Sequence, residues 1–295
     1  MEIKYIHYGL TLMYSYYLPF FDIYETNKGF VFEKTNGFGK GLKCSFSEIN
    51  LTTECIVPSG LSEGALFKLL GLNKINVFGD LCLVADMDEC VSKTITLING
   101  EEDSRYVFYS IYLSRNTDYY ANTLKWAKQA VINGYVDSSS YISREFNKLK
   151  KSIDIVFNET NNPIDLACKL LFVKNVGVKS VASLLLHAYG LTRYAPIDRH
   201  YANYLGVKGK PGYKDICIRS KMECSGCSLH SCIYRQAVSK YGTYNGVVQS
   251  LVYINARLKQ TRRSEIEEIL VRDPSVYMDN LEKLLIKLSH ISSIN

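Results

Sequence analysis

The stretch from Leu171 to His200 constrains the fold more than any other part of the chain. It reads as the end of an apolar helix, a tight turn through Gly177, a second helix from about Lys179 to Tyr189, and a loop that ends in Asp198. Val181, Ala182, Leu184, Leu185, Leu186 and Ala188 are helix-compatible and dense enough to be buried, with Gly190 as the C-terminal stop. Pro196 blocks early continuation, and Asp198 is placed to cap a following helix, Arg199 to Leu205. Two helices joined by a glycine hairpin gather unpaired backbone N–H groups at one point, which suits a phosphate oxygen. The second helix and its return loop can bring Lys179 and Asp198 to one cleft. An amine and a carboxylate beside a phosphate anchor point to chemistry at a sugar.

The rest of the chain divides by pattern. Residues 1–100 are rich in Tyr, Phe, Ile and Thr, in short runs such as Gly29 to Lys34 and Leu81 to Ala85, broken by Asn27-Lys28-Gly29, Asn36-Gly37 and Asn99-Gly100. They predict an antiparallel sheet with one helix near Ser62 to Leu72. From Glu101 the pattern turns helical, so the fold class expected is α+β: an N-terminal antiparallel β-sheet domain, 1–100, and a mostly α-helical domain, 101–295. Within the second, a helix-hairpin-helix covers 163–189, with Pro163 well placed at a first helical position. Two apolar helices, Tyr106 to Leu113 and Tyr119 to Val131, flank the polar loop Ser114-Arg115-Asn116-Thr117-Asp118. Ser138 to Phe157 is a basic amphipathic segment, and Ser264 to Asn295 a charged amphipathic tail whose leucines are explained by core packing.

Composition narrows the partners. With 295 residues the chain can bury a sizeable core, and 35 basic against 29 acidic residues, a net charge of +6, fit an anionic partner. No run of about 18 apolar residues occurs and the start lacks a signal-peptide design, so a cytoplasmic protein is expected. Nine cysteines, an odd number and partly clustered, favour metal ligation and buried thiols over a disulfide framework. Cys44, Cys55, Cys82 and Cys90 are expected as inert buried thiols. Cys217-x6-Cys224-x2-Cys227-x4-Cys232 places four soft ligands within one short loop, 217–232, for a [4Fe-4S] cluster or Zn. Lys208, Lys210, Lys214, Arg219 and Lys221 nearby would let that loop touch phosphates.

Gly177, Lys179, Pro196, Asp198 and His200 resemble, in register and without gaps, the pattern of the helix-hairpin-helix DNA glycosylases in their 8-oxoguanine branch. Asn175 stands where the hairpin usually has its first glycine, and Val181 where a small alanine usually packs. The cysteine loop is similar to the iron-sulfur loop of endonuclease III and its relatives, one residue shorter in its last interval and placed before Lys240 to Gln260 rather than after the last helix. That likeness favours iron over zinc.

The resemblance implies a bifunctional DNA glycosylase and AP lyase that excises an oxidised base, 8-oxoguanine above others, from double-stranded DNA, and works as a monomer. It implies Lys179 as nucleophile and Asp198 as the acid that stabilises the sugar. Asn175, Gly177 and His200 would hold the DNA backbone, and Arg115 or Asn116 would fill the gap left by the extruded nucleotide. On the helix Tyr241 to Gln260, Gln249 would read the Watson-Crick edge of the base and Tyr253 support its ring, the two being i, i+4 on one face. Ser183, one turn after Lys179, would touch the other side of the base. To attack as a neutral amine, Lys179 is expected to be buried. Three other readings stay open: an oxidised-pyrimidine glycosylase like endonuclease III, a monofunctional alkylpurine glycosylase, and a non-catalytic module that binds DNA backbone.

Overall fold

Alternation of apolar and polar residues builds the first part of the chain into strands. In β4 (Lys43–Ser47) Cys44 and Phe46 are buried, and in β5 (Thr52–Ile56) Thr53 and Cys55, while their neighbours face outward. β2 (Phe21–Thr26) and β3 (Gly29–Lys34) form a hairpin closed at the Thr26–Gly29 pair, and β1 (Glu2–Lys4) adds the far edge. All pairings are antiparallel, in the order β1-β5-β4-β3-β2. The structure, a computed structural model, describes residues 1–206 and 212–294, so Lys208 and Lys210 of the expected basic cluster lie outside the described residues.

The sheet's inner face is aromatic. Phe30 and Phe46 have ring centroids 5.0 Å apart, and Phe32 stacks at 5.5 Å on Tyr8 of α1 (Tyr8–Met13), a helix buried at every position. Two sequence expectations are corrected here. Cys44 and Cys55 are register partners across β4 and β5 and are joined as a disulfide, as are Cys82 and Cys90. The run Leu81 to Ala85 is not a strand: it ends α3 (Ile75–Val84), whose Phe78, Leu81 and Cys82 are buried at helical spacing. A five-residue apolar run carries no period of its own, so strand and helix look alike there. The expected helix near Ser62 is α2 (Glu63–Leu69), capped by the Ser62 hydroxyl.

The helical part follows the expected punctuation. α4 (Ser104–Leu113) is followed by a polar loop and a π-helical turn (Tyr119–Thr123) leading into α5 (Leu124–Asn133) and α6 (Tyr141–Glu159). α7 (Pro163–Leu170) starts at its proline with Asn162 as cap, and α8 (Val178–His187) is buried at every residue except Lys179. α9 (Arg199–Leu205), α10 (Lys214–Arg219), α11 (Ile233–Tyr241), α12 (Asn245–Leu258), α13 (Glu265–Leu270) and α14 (Ser275–His290) complete the chain. α12 is driven against the return loop after α8 at Gly246, where a Cβ would lie 2.6 Å from the Tyr194 carbonyl oxygen and from Leu186. This close approach sets Gln249 of α12 beside Asp198. Among the described residues no helix is long and apolar enough to cross a membrane.

Candidate active site

The hairpin between α7 and α8 is held by polar contacts rather than by glycine geometry. Asn175 takes the left-handed conformation, φ 62°, which asparagine tolerates better than most residues. Its side-chain amide donates to Glu145 of α6, and its carbonyl accepts from Arg115 Nη1 at 2.6 Å. The Tyr141 hydroxyl, with Arg115 and Tyr112 behind it, holds the Glu145 carboxyl below the usual range. Gly177 is extended, φ −112°, and a Cβ there would meet nothing within 4 Å. Its backbone therefore does not demand glycine; the bare position leaves the N-terminus of α8, which has no side-chain cap, open to an approaching group.

Beside this end of α8 lies a cavity of about 310 Å³ lined by Lys179, Asp198, His200, Gln249, Tyr253 and Asn116. Asp198 caps α9: one oxygen accepts the Tyr201 N–H at 2.8 Å and the other accepts Gln249 Nε2–H at 3.0 Å. The Gln249 amide is thus already engaged through one N–H, with its oxygen and second N–H left over. Lys179 is exposed, contrary to the burial expected of it, because it is the position of α8 that faces out of the bundle. Ser183 sits behind it and donates to the Lys179 carbonyl at 3.0 Å. Burial raises the Tyr253 phenol above its ordinary value, and Arg257 one turn on is paired with Glu267 at 2.7 Å.

Four of the residues expected at the site stand apart from the cavity lining: Asn175, Gly177 and Arg115 belong to the hairpin and its supports, and Ser183 lies behind Lys179. The Arg115 guanidinium is 3.7 Å from the Tyr112 ring centroid and donates to Asn175 and Glu145, so it is committed inside the protein. Asn116 is exposed at the tip of its loop with φ 50° and lines the cavity. Sequence reasoning missed Tyr14, Tyr16 and His187, which wall the same cavity. Tyr16 meets the His187 ring edge-on at 4.9 Å. Burial pushes both phenols up and the His187 imidazole down to about 3. His187 was legible in principle, since it continues Lys179 and Ser183 at i+8.

The four clustered cysteines line a second, much smaller cavity of about 20 Å³. A Cβ on Gly212 would lie 3.0 Å from Cys217 Sγ and 3.4 Å from Cys232 Sγ, so the missing side chain makes room for the sulfurs. Burial and the neighbouring sulfurs push the Cys217 thiol up to about 11 and the Cys224 thiol up to about 12. Among the described residues no three potential ligands are drawn together tightly enough to hold a metal ion. The donor set itself, four soft sulfurs around one small cavity, fits a thiolate-bound metal or cluster.

No family model matches the sequence, and no curated protein does either. Among solved structures, the chain is similar to the Clostridium acetobutylicum 8-oxoguanine glycosylase/lyase in complex with double-stranded DNA containing cytosine opposite 8-oxoguanine, with a TM-score of 0.53 and 11% identity over 86% of this chain and 93% of that one. It is similar also to the apo form of that enzyme, with a TM-score of 0.52 and 11% identity over 85% and 93% of the two chains. At this identity the likeness is one of fold: an antiparallel sheet followed by a helical body, in the arrangement of the Clostridium enzyme.

Proposed function

We propose that the chain is a bifunctional DNA glycosylase and AP lyase of base excision repair, acting on an oxidised base in duplex DNA, with 8-oxoguanine the favoured substrate. The observation that carries this reading is that Lys179 and Asp198 line one cavity, together with Gln249 and Tyr253, next to the uncapped N-terminus of α8. The similar Clostridium enzyme was solved on a duplex holding 8-oxoguanine opposite cytosine, which supports an oxidised purine.

In this reading the first-turn N–H groups of α8 take a strand phosphate, and the damaged nucleotide turns out of the stack into the cavity. Asn116, free at its loop tip, enters the space left behind, while Arg115 keeps the hairpin in place. Gln249 offers its free oxygen to the N–H donors of a guanine edge, and Tyr253 stacks on the ring. Positive charge then grows on the sugar, and the Asp198 carboxylate, fixed by two N–H donors, stabilises it. The neutral Lys179 amine attacks C1′, the C–N bond to the base breaks, and the base leaves with the bonding pair and takes up a proton. The amine then sheds a proton and the C1′–O4′ bond opens, O4′ taking up a proton; the resulting Schiff base loses its C2′ proton, and the 3′ phosphate departs by β-elimination. Lys179 is solvated in the free protein, so the docked duplex is what strips water from it.

Cys217, Cys224, Cys227 and Cys232 would hold a [4Fe-4S] cluster or Zn. With all positions taken by thiolates, such a group supplies a structural staple rather than an open site for chemistry. Visible absorption of the purified protein separates iron, which absorbs there, from zinc, which does not.

Replacing Lys179 by Gln is expected to abolish borohydride trapping on damaged duplex, and full trapping by that variant overturns the assignment. Asp198→Asn should slow excision by about a hundredfold or more while leaving DNA binding largely intact. The cysteine spacing favours one second reading, an oxidised-pyrimidine glycosylase; excision from thymine glycol and 8-oxoguanine duplexes side by side decides between them. Failure to cleave abasic sites would instead leave a module that only grips the backbone.

A further inference from the structure

The basic segment from Ser138 to Phe157 takes no part in the chemistry above. Most of it forms α6, where Tyr141, Arg144 and Lys148 follow one another at i, i+3 and i+7 and so share a face. Together with Glu145, Leu149 and Lys174 they line an open groove of about 420 Å³. Lys174 immediately precedes Asn175, so the groove borders the turn that leads to the open N-terminus of α8. Arg144, Lys148 and Lys174 are exposed, and among the described residues none of them pairs with a carboxylate. Two neighbouring lysines are paired: Lys150 with Asp154 at 2.7 Å and Lys169 with Glu159 at 3.1 Å. The acid in the groove wall, Glu145, is committed elsewhere. One of its oxygens accepts from the Tyr141 hydroxyl at 2.5 Å and from the Asn175 amide, the other from Arg115 and the Tyr112 hydroxyl, each at 3.3 Å. Arg115 thus offsets its charge, and the groove cations are left to repel one another until an anion comes between them.

We propose that this groove is a second backbone-binding surface for duplex DNA, which takes the phosphates flanking the one held at the N-terminus of α8. The inference rests on the DNA-gripping part of the reading above and not on its chemistry. The Arg144 guanidinium offers a fork of donors that fits two phosphate oxygens, while the Lys148 and Lys174 ammonium groups act as point charges. Tyr141 and Leu149 give the groove an apolar strip against which a deoxyribose lies. Glu145 ties this wall to the hairpin, since it holds Tyr141 and Asn175 at once. Contacts to phosphate carry no sequence information, so the groove sets how the duplex lies across the hairpin and leaves the choice of base to the cavity.

The test measures binding of the full chain to an 8-oxoguanine duplex and to the same duplex undamaged, over a series of salt concentrations. The variant combining Arg144→Gln, Lys148→Gln and Lys174→Gln should bind both duplexes about tenfold or more weakly, by the same factor for each, with the slope of log affinity on log salt reduced by about 2 to 3. A control with Lys4→Gln, Lys28→Gln and Lys43→Gln, which removes equal charge from the sheet, should keep the native slope. Equal losses in the two variants reduce the effect to net charge and overturn the inference, as does an unchanged slope in the first. A second measurement leaves the native side chains in place: phosphates on either side of the lesion are replaced one at a time by neutral methylphosphonates. At the positions that the groove takes, native affinity should fall and that of the groove variant should not. Equal falls in both chains at every position overturn the inference even where the variant folds poorly. A native chain that binds with the expected slopes but excises no base supports this surface and overturns the glycosylase chemistry alone. A native chain that binds neither duplex overturns both.

Discussion

Asp198 takes a backbone N–H on one oxygen and an amide N–H on the other, so its carboxylate is oriented before any substrate arrives. His187 is the opposite case, a polar ring held in place by packing alone. Its burial makes stability depend on pH in a definite direction. The folded chain holds this imidazole near a pKa of about 3, while the unfolded chain protonates it near about 6.5, so the unfolded state binds the proton first. The stability concerned is present in full above about pH 6.5 and is lost as pH falls toward 3, with a slope of at most about 1.4 kcal/mol per pH unit. Denaturant melts at pH 7 and pH 5 should show a larger loss for the native chain than for His187→Leu, and equal losses would contradict this. At this scale the sequence made Lys179, Asp198, Gln249 and Tyr253 legible because each falls at a motif position on a helix or cap. It concealed the bond from Gln249 to Asp198, which depends on how tightly Gly246 lets α12 approach.

The hairpin between α7 and α8 puts its positive φ on Asn175 and leaves Gly177 extended. Asn175→Ala should therefore lose about 1–2 kcal/mol of stability from left-handed strain, plus the bond to Glu145, whereas Gly177→Ala should fold as well as the native chain. If α8's open end receives a phosphate, that same methyl obstructs it. Gly177→Ala is then expected to weaken binding to duplex DNA with an unchanged melting temperature, and unchanged affinity would remove the hairpin from the DNA interface. Elements with strong punctuation were readable: Pro163 opening α7, Asp198 capping α9, and the apolar face of α8. α3 was not, since its short apolar run has no period. The disulfide partners were not either, because Cys44 and Cys55 meet only through strand register.

Across the whole molecule, the segment that follows α1 and the helical body share the cavity. The segment after α1 brings Tyr14 and Tyr16 to the cavity wall, while Lys179, Asp198 and Gln249 come from the helical body. His7 and Glu48 of the N-terminal part engage each other at 3.2 Å, and the Tyr277 hydroxyl of α14 donates to Glu48 at 3.1 Å, so the first strands are tied to the last helix. Contacts between residues more than two hundred positions apart leave no trace in local pattern, which is why the N-terminal share of the pocket could not be read from the chain. The proposed chemistry turns on one amine, and its most direct test is to reduce the protein with borohydride on an 8-oxoguanine duplex and locate the sugar by peptide mass mapping. The deoxyribose remnant is expected on Lys179. A remnant on another amine, or release of the base with no adduct at all, would contradict it.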